Sequence, residues 1–386
     1  MKRLKRKKPH GAVAVNGNGS VTRVPDCGRK QKLAVIHQAL ISDPVDIETL
    51  RRAAASKGGL LTDELRRKVW PKLLNINVYD LPHKPGMPAT ERAVLQEQLI
   101  DIILEIMKRN PQLHYYQGYH DVAVTLLLVV GERMTIAMLD TLSNYHLRDF
   151  MDPTMDSTKH ILNYLMPILE QVDGELHDFM IRAEVGTIFA LSWLITWYGH
   201  VLSDFKYTLR LYDFFLASHP LMPIYLAATI VLHRTKEVKQ TECDMAMVHH
   251  LLSRIPQDLP YELLISQSQE LFDQYPPSLL AKRAALQSHR SLSISTFQAF
   301  QLSTLHQRPD SVLQRLKAEG STTSRHASRH SGLEAALPRE RSQLWGKGNR
   351  IVKMAVWGLS ATLGAAVFAV AQTAMEWGPE LLLQLF

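Results

Sequence analysis

The stretch Asn110-Pro-Gln-Leu-His-Tyr-Tyr-Gln-Gly-Tyr-His-Asp121, followed at once by the apolar run Val122–Val130, decides how the rest of the chain is read. Asn110-Pro111 ends the segment before it, because the proline ring disfavours the α conformation in the preceding residue. In that segment Leu95, Leu99, Ile102, Ile103 and Ile106 recur at three- and four-residue spacing, which predicts a helix from Thr90 as N-cap to about Lys108. Val122–Val130 fits a buried helix or a buried strand by periodicity alone, and its helical neighbours favour helix. A polar loop between two buried segments is held on rigid supports. Gln117-Gly118 puts an amide beside a residue that leaves the backbone open to close approach. By composition the same stretch is also an ordinary helix-breaking loop with a buried tyrosine or two.

Working outward, helical patterning begins near Lys32. Asp43-Pro44 reads as an N-cap with proline at the first helical position, opening a helix to about Ser56 that Gly58-Gly59 stops. A second helix runs from Asp63-Glu64 through Trp70, with Pro71 near its end. Pro82, Pro85, Gly86 and Pro88 make 75–90 loop-like. Beyond the central loop, helices are expected at about 134–147, 158–172, 187–198, 200–217, 221–234, 243–254 and 260–274. No alternating strand pattern of useful length occurs. The fold class is therefore all-α, a packed multi-helix domain over 32–275. Residues 1–30, rich in Gly, Asn and basic side chains, read as a disordered basic N-terminus, and 276–350 as a linker carrying a helical stub near 278–290.

The 386 residues carry a net charge of +7 and a 46% hydrophobic share, enough to build a sizeable core. The surplus charge is uneven. Lys2, Arg3, Lys5, Arg6, Lys7 and Lys8 crowd one end, while Arg339, Arg341, Lys347, Arg350 and Lys353 precede the last apolar run. No aromatic residue interleaves with the N-terminal run and no nucleic-acid-binding signature follows it, so no nucleic-acid partner is expected. Cys27 and Cys243 exclude a disulfide framework and fit a reducing compartment. The N-terminal charges are followed by Pro9, Gly11 and Asn16 rather than an apolar core, unlike a secretory signal.

Met354–Met375 holds no charged residue, and Trp357 and Trp377 stand where interfacial aromatics belong. A transmembrane helix over 351–375 is expected, with 376–386 as a short lumenal tail. The basic residues before it place the bulk of the chain in the cytosol. A span so late in the chain implies post-translational, tail-anchored insertion.

Few catalytic chemistries survive inspection. No nucleophile elbow and no phosphate-cradling glycine loop is present. Neither cysteine has a credible base beside it, and His249-His250 reads as a solvated pair. His120-Asp121, with only His114 near, lacks the further ligands a metal site needs, so no metal and no cofactor of the chain's own is expected. Gln117 remains. An amide donates and accepts at once, so it can orient a water against a phosphoryl group, acting in trans on another protein's nucleotide.

Tyr115-Tyr116-Gln117-Gly118 resembles the Tyr-x-Gln-Gly motif of TBC domains, the GTPase-activating modules for Rab proteins. Arg66-Arg67-Lys68-Val69-Trp70 resembles that family's Arg-x-x-x-Trp motif, in the right order along the chain. The resemblance covers about 60–275. It implies a TBC (Rab-GAP) domain that stimulates GTP hydrolysis by a Rab GTPase, acting on GTP and magnesium bound to that partner, at the endoplasmic reticulum or early secretory membrane. Gln117 would be the glutamine finger, in a motif with Tyr115 and Gly118, and Arg66 and Trp70 would be structural. The family's arginine finger belongs to an Ile-x-x-Asp-x-x-Arg motif between the Trp and the Tyr-x-Gln-Gly. No such pattern stands between Trp70 and Tyr115 here; Arg92 and Arg109, the arginines in that interval, are weak substitutes. The resemblance thus implies that the finger segment is absent and activity impaired, with a non-catalytic, membrane-anchored Rab-binding form as the alternative.

Overall fold

A computed structural model of the chain describes residues 26–82, 91–283 and 291–327. Among them there is no strand. The helices are α1 (Asp26–Ile41), α2 (Ile47–Ala55), α3 (Asp63–Leu73), α4 (Glu91–Arg109), α5 (Tyr119–Val130), α6 (Glu132–Asn144), α7 (Asp156–Leu162), α8 (Leu165–Val172) and α9 (Gly174–Arg182). They continue as α10 (Leu191–Ile195), α11 (Phe205–Leu216), α12 (Met222–His233), α13 (Thr235–Gln240), α14 (Met245–Ser253), α15 (Tyr261–Gln274), α16 (Pro277–Arg283), α17 (Leu292–Thr304) and α18 (Asp310–Ala327). Arg148–Phe150 and Ile188–Ala190 are 3-10 turns.

Short polar side chains start these helices by accepting otherwise orphaned backbone N–H groups. Asp46 accepts from Thr49, Thr62 from Leu65, Asp173 from Leu176, and Asp244 from Ala246 and Met247. The centre of the fold is α12, where Met222 through Val231 are buried on every side. A helix apolar all round has no solvent face and must be enclosed. It packs against α8, α10 and α15. The run at Val122–Val130 is the buried helix α5, in which Val122, Ala123, Leu126, Leu127 and Val129 enter the core.

Several sequence expectations change. The first helix begins at Asp26, inside the stretch read as disordered. Asp43-Pro44 is a cis peptide ahead of α2 rather than its cap; Asp46 is the cap because its carboxylate reaches the Thr49 N–H at 2.9 Å. The helix expected at 158–172 is two, meeting at Asn163-Tyr164, and that at 187–198 ends at Ile195. The largest difference is in the expected linker. Helix α17 is docked there by Phe297 and Phe300, with His146 and Tyr145 against Phe300 at ring-centroid distances of 5.8 and 4.5 Å. The segment then clamps the N-terminal helices. Arg51 donates to the Thr304 hydroxyl at 2.8 Å, Val45 N–H to Gln307 at 2.9 Å, and the buried Lys72 pairs with Asp310 at 2.7 Å.

Among the described residues no helix is long and apolar enough to cross a membrane. The span expected at 351–375 and the tail at 376–386 lie outside the described residues.

Candidate functional site

Loop 110–118 is fastened at both ends, which is how it holds Gln117 in place. At its entry Asn110 is buried. Its amide donates to Ile106 O at 3.1 Å and Asp140 Oδ1 at 2.6 Å, and its oxygen accepts from Asn144 at 2.9 Å. Leu113 is buried, and the His114 N–H donates to Met151 O at 2.9 Å. At the exit, Tyr116 donates its hydroxyl to Ile195 O at 2.9 Å while its ring lies edge-on to Tyr119 and Phe150. Burial pushes the Tyr116 phenol well above its ordinary range, so it stays a neutral donor. Tyr119 is fully buried and shares a 2.7 Å hydrogen bond with Ser143.

Gly118 has φ +108°, a region that L side chains rarely adopt. A Cβ there would lie 2.9 Å from Thr196 Cγ2, with Ile195 Cγ1 at 3.4 Å. The motif's glycine is therefore required by conformation and by space. The support beneath it is itself strained: Trp197 and Tyr198, both buried, have φ of +47° and +66°. Two successive left-handed residues persist only where surrounding packing over-determines them. Here the Tyr198 hydroxyl donates to Pro223 O at 2.9 Å and its N–H to Trp193 O at 2.7 Å.

Above this base Gln117 is exposed, and its amide makes no hydrogen bond to a described residue. Around it, the Tyr115 hydroxyl meets His120 Nδ1 at 3.0 Å. The Asp121 carboxylate lies 3.7 Å from His120 Nε2 and 3.9 Å from His200 Nδ1. Burial and then Asp121 push the Tyr115 phenol upward. Among the described residues no cluster of His, Cys, Asp and Glu could hold a metal ion.

Arg66 and Trp70 meet at one acceptor, Asp213, whose side chain has no exposed surface. Arg66 Nε and Nη2 donate to it at 3.0 and 2.8 Å, Trp70 Nε1 at 2.8 Å, and the Leu60 N–H at 2.9 Å. The knot ties α3 to α11 and fits against Gly59, where a Cβ would come within 2.4 Å of Asp213 Oδ2. The two substitute arginines lie apart. Arg92 is in the first turn of α4 and Arg109 ends that helix, about 25 Å away at 1.5 Å per residue. Arg109 abuts the loop, but its guanidinium is paired with Glu105 at 2.8 Å.

The chain matches the model of the Rab-GTPase-TBC domain over residues 80–239. It is 57% identical to human TBC1 domain family member 20, across 93% of each chain. The chain belongs to the TBC Rab-GAP family. A more distant relative, GTPase-activating protein gyp10 of Schizosaccharomyces pombe, is 31% identical over 58% of this chain and 68% of its own. The crystal structure of the Ypt/Rab-GAP domain of Gyp1p superposes with a TM-score of 0.50 at 14% identity, covering 64% of this chain and 99% of that one, a likeness of fold. In this TBC chain the structure joins Tyr115, Gln117 and Gly118 in one loop and Arg66 and Trp70 in a separate knot. Sequence reading did not find Asp213 or His200. For Asp213 the signal was an acid inside an otherwise apolar run, Leu211-Tyr-Asp-Phe-Phe-Leu216. For His200, far along the chain from Gln117, sequence offered none.

Proposed function

We propose that the chain is a GTPase-activating protein for Rab GTPases, acting in trans on the GTP and magnesium that the partner holds, with no cofactor of its own. The observation that carries this reading is Gln117: an exposed amide, free of partners among the described residues, on a loop fixed at both ends. Such an amide can accept from the attacking water and donate toward the γ-phosphate. Fastening the loop beforehand removes the entropy that would otherwise oppose this alignment. A second reading, a non-catalytic Rab-binding form, is favoured by one fact: Arg109 is engaged by Glu105 rather than free for a partner. An arginine finger contributes about 10³–10⁵ in rate.

Stimulated GTP hydrolysis by a panel of Rabs tests both readings. Weak acceleration is expected, well below that of a two-finger activator, and Gln117→Ala is expected to abolish it without weakening Rab binding. Equal acceleration by the variant would overturn the role of Gln117. Binding without acceleration by the unaltered chain would favour the non-catalytic reading.

The uncharged stretch 354–375 supports a membrane-anchored form with its bulk in the cytosol, on endoplasmic reticulum or early secretory membranes. Deleting 351–386 is then expected to move the protein from the alkali-resistant membrane fraction to the soluble one; retention in the membrane would count against the span.

A further inference from the structure

Helix α17 lies beyond residues 80–239, the span of the family match, yet it reaches the Gln117 loop through one buried acid. We propose that Asp149 is a positioning residue for Gln117: seated against the start of α17, it fixes the turn on which the Gln117 loop rests, so that docking of α17 turns the activator on. The proposal rests on the reading of Gln117 as a group that acts on the partner's nucleotide.

Asp149 is 2% exposed, and each of its polar atoms is engaged. Its carboxylate accepts the Ser291 hydroxyl on one oxygen and the Leu292 N–H, at 3.0 Å, on the other. Its own N–H donates to Ser293 Oγ at 3.4 Å, and its carbonyl accepts the Thr158 hydroxyl at 3.4 Å. Ser291 is at the same time the N-cap of α17, accepting the Ile294 N–H at 3.1 Å. The acid therefore stands at the positive end of α17, where a carboxylate is favoured. Phe297 completes the docking, with its ring 5.6 Å from His146 and 4.9 Å from His219.

The next two residues of the same turn touch the loop. The Phe150 ring meets Tyr116, the residue before Gln117, at a centroid distance of 6.0 Å. Met151 O accepts the His114 N–H at 2.9 Å. Asn110 pins the loop at its entry and the Tyr116 hydroxyl pins it at its exit, so this turn supports the stretch between them. A movement at Asp149 is passed to both holds at once. Misplacing a reacting group by about 1 Å can cost about a hundredfold in rate. A support of this kind controls Gln117 without touching the nucleotide. If Asp149 served stability alone, its loss would loosen the whole core and leave no separate mark on the loop.

The test uses the full-length protein and two readouts. Single-turnover GTP hydrolysis by GTP-loaded Rabs, over a range of protein concentrations, separates maximal acceleration from the half-saturating concentration. Hydrogen exchange compares residues 110–118 with α12. Asp149→Ala is expected to lower maximal acceleration about tenfold while leaving the half-saturating concentration unchanged. The amides of 110–118 should exchange faster, and those of α12 should stay protected. Ser291→Ala, a milder change should the first variant fold poorly, should move both readouts in the same direction. Asp149→Asn should restore most of the acceleration, because its oxygen can still accept the Leu292 N–H while its NH2 donates to the Ser291 oxygen. Ser295→Ala, at an exposed position of the same helix, should change neither readout. Unchanged exchange of 110–118 in both alanine variants would overturn the proposal. So would equal loss of protection in 110–118 and α12, or a raised half-saturating concentration at unchanged maximal acceleration. Absence of acceleration by the unaltered chain would instead strike the activator reading, and exchange of 110–118 would still decide whether Asp149 holds the loop.

Discussion

Asp213→Ala is expected to destabilise the domain by about 3–5 kcal/mol, the range for breaking a buried ion pair by removing one partner. The carboxylate is fully buried and accepts four hydrogen bonds: two from Arg66, one from Trp70 and one from the Leu60 backbone. Alanine leaves all four donors without their acceptor. The Arg66 side chain is only 11% exposed, so its charge keeps just the Asp63 contact at 2.7 Å, and water reaches it poorly. Asp213→Asn should rescue little, because its amide NH2 would face donors on the side where Oδ1 or Oδ2 now accepts. Neither replacement touches Gln117, so a loss of activity would follow from lost folded protein rather than altered chemistry. Chemical denaturation followed by tryptophan fluorescence reads the effect, since Trp70, Trp193 and Trp197 are all buried. A destabilisation below about 1 kcal/mol would mean that the carboxylate is replaceable and that the knot does not hold α3 to α11.

What the sequence made legible was whatever local chemistry decides. Asn110-Pro111 had to end α4, and Gly118 was legible as a residue open to close approach, which in the structure comes from Ile195 and Thr196 at a left-handed φ. Arg66 and Trp70 stood one helical turn apart and so shared a face, but their common acceptor lay far along the chain, and helical periodicity says nothing about such pairings. The same limit hid His200, whose ring lies 3.9 Å from the Asp121 carboxylate far back along the chain. Helix α17 was illegible for another reason. Its sequence is mostly Ser, Thr and Gln, so its docking rests on Phe297 and Phe300, on the Ser291 hydroxyl donated to Asp149, and on the Leu292 N–H 3.0 Å from that same carboxylate. A helix anchored by two aromatic rings and one distant acid shows no stripe of the kind that revealed α4.

That anchoring makes the fold sensitive to acid. His146 is buried against Trp197, Phe297 and Phe300, with ring centroids 6.1, 5.6 and 5.8 Å away, and burial pushes its imidazole down from 6.5 to about 4. His219 lies across Phe297 at 4.9 Å, and burial, then the neighbouring His146, push it to about 3. Both are lowered by folding, which sets the sign. Above pH 6.5 folded and unfolded chains are both neutral at these positions and nothing is lost. As pH falls, the unfolded chain takes up its protons first, so stability drains away between about 6.5 and 4. His146 alone then removes about 2 kcal/mol of stability at pH 5. The His219 contribution is not simply additive, because a proton on either ring opposes one on the other. Unfolding midpoints in urea at pH 7, 6 and 5 measure the loss, and His146→Phe should flatten the decline by removing the group that charges. An equally steep fall in that variant would move the acid sensitivity elsewhere. Hydrogen exchange should locate it: α17 covers both rings, so its amides should lose protection at a higher pH than those of α12. Simultaneous loss in both helices would show that α17 is not the part that gives way first.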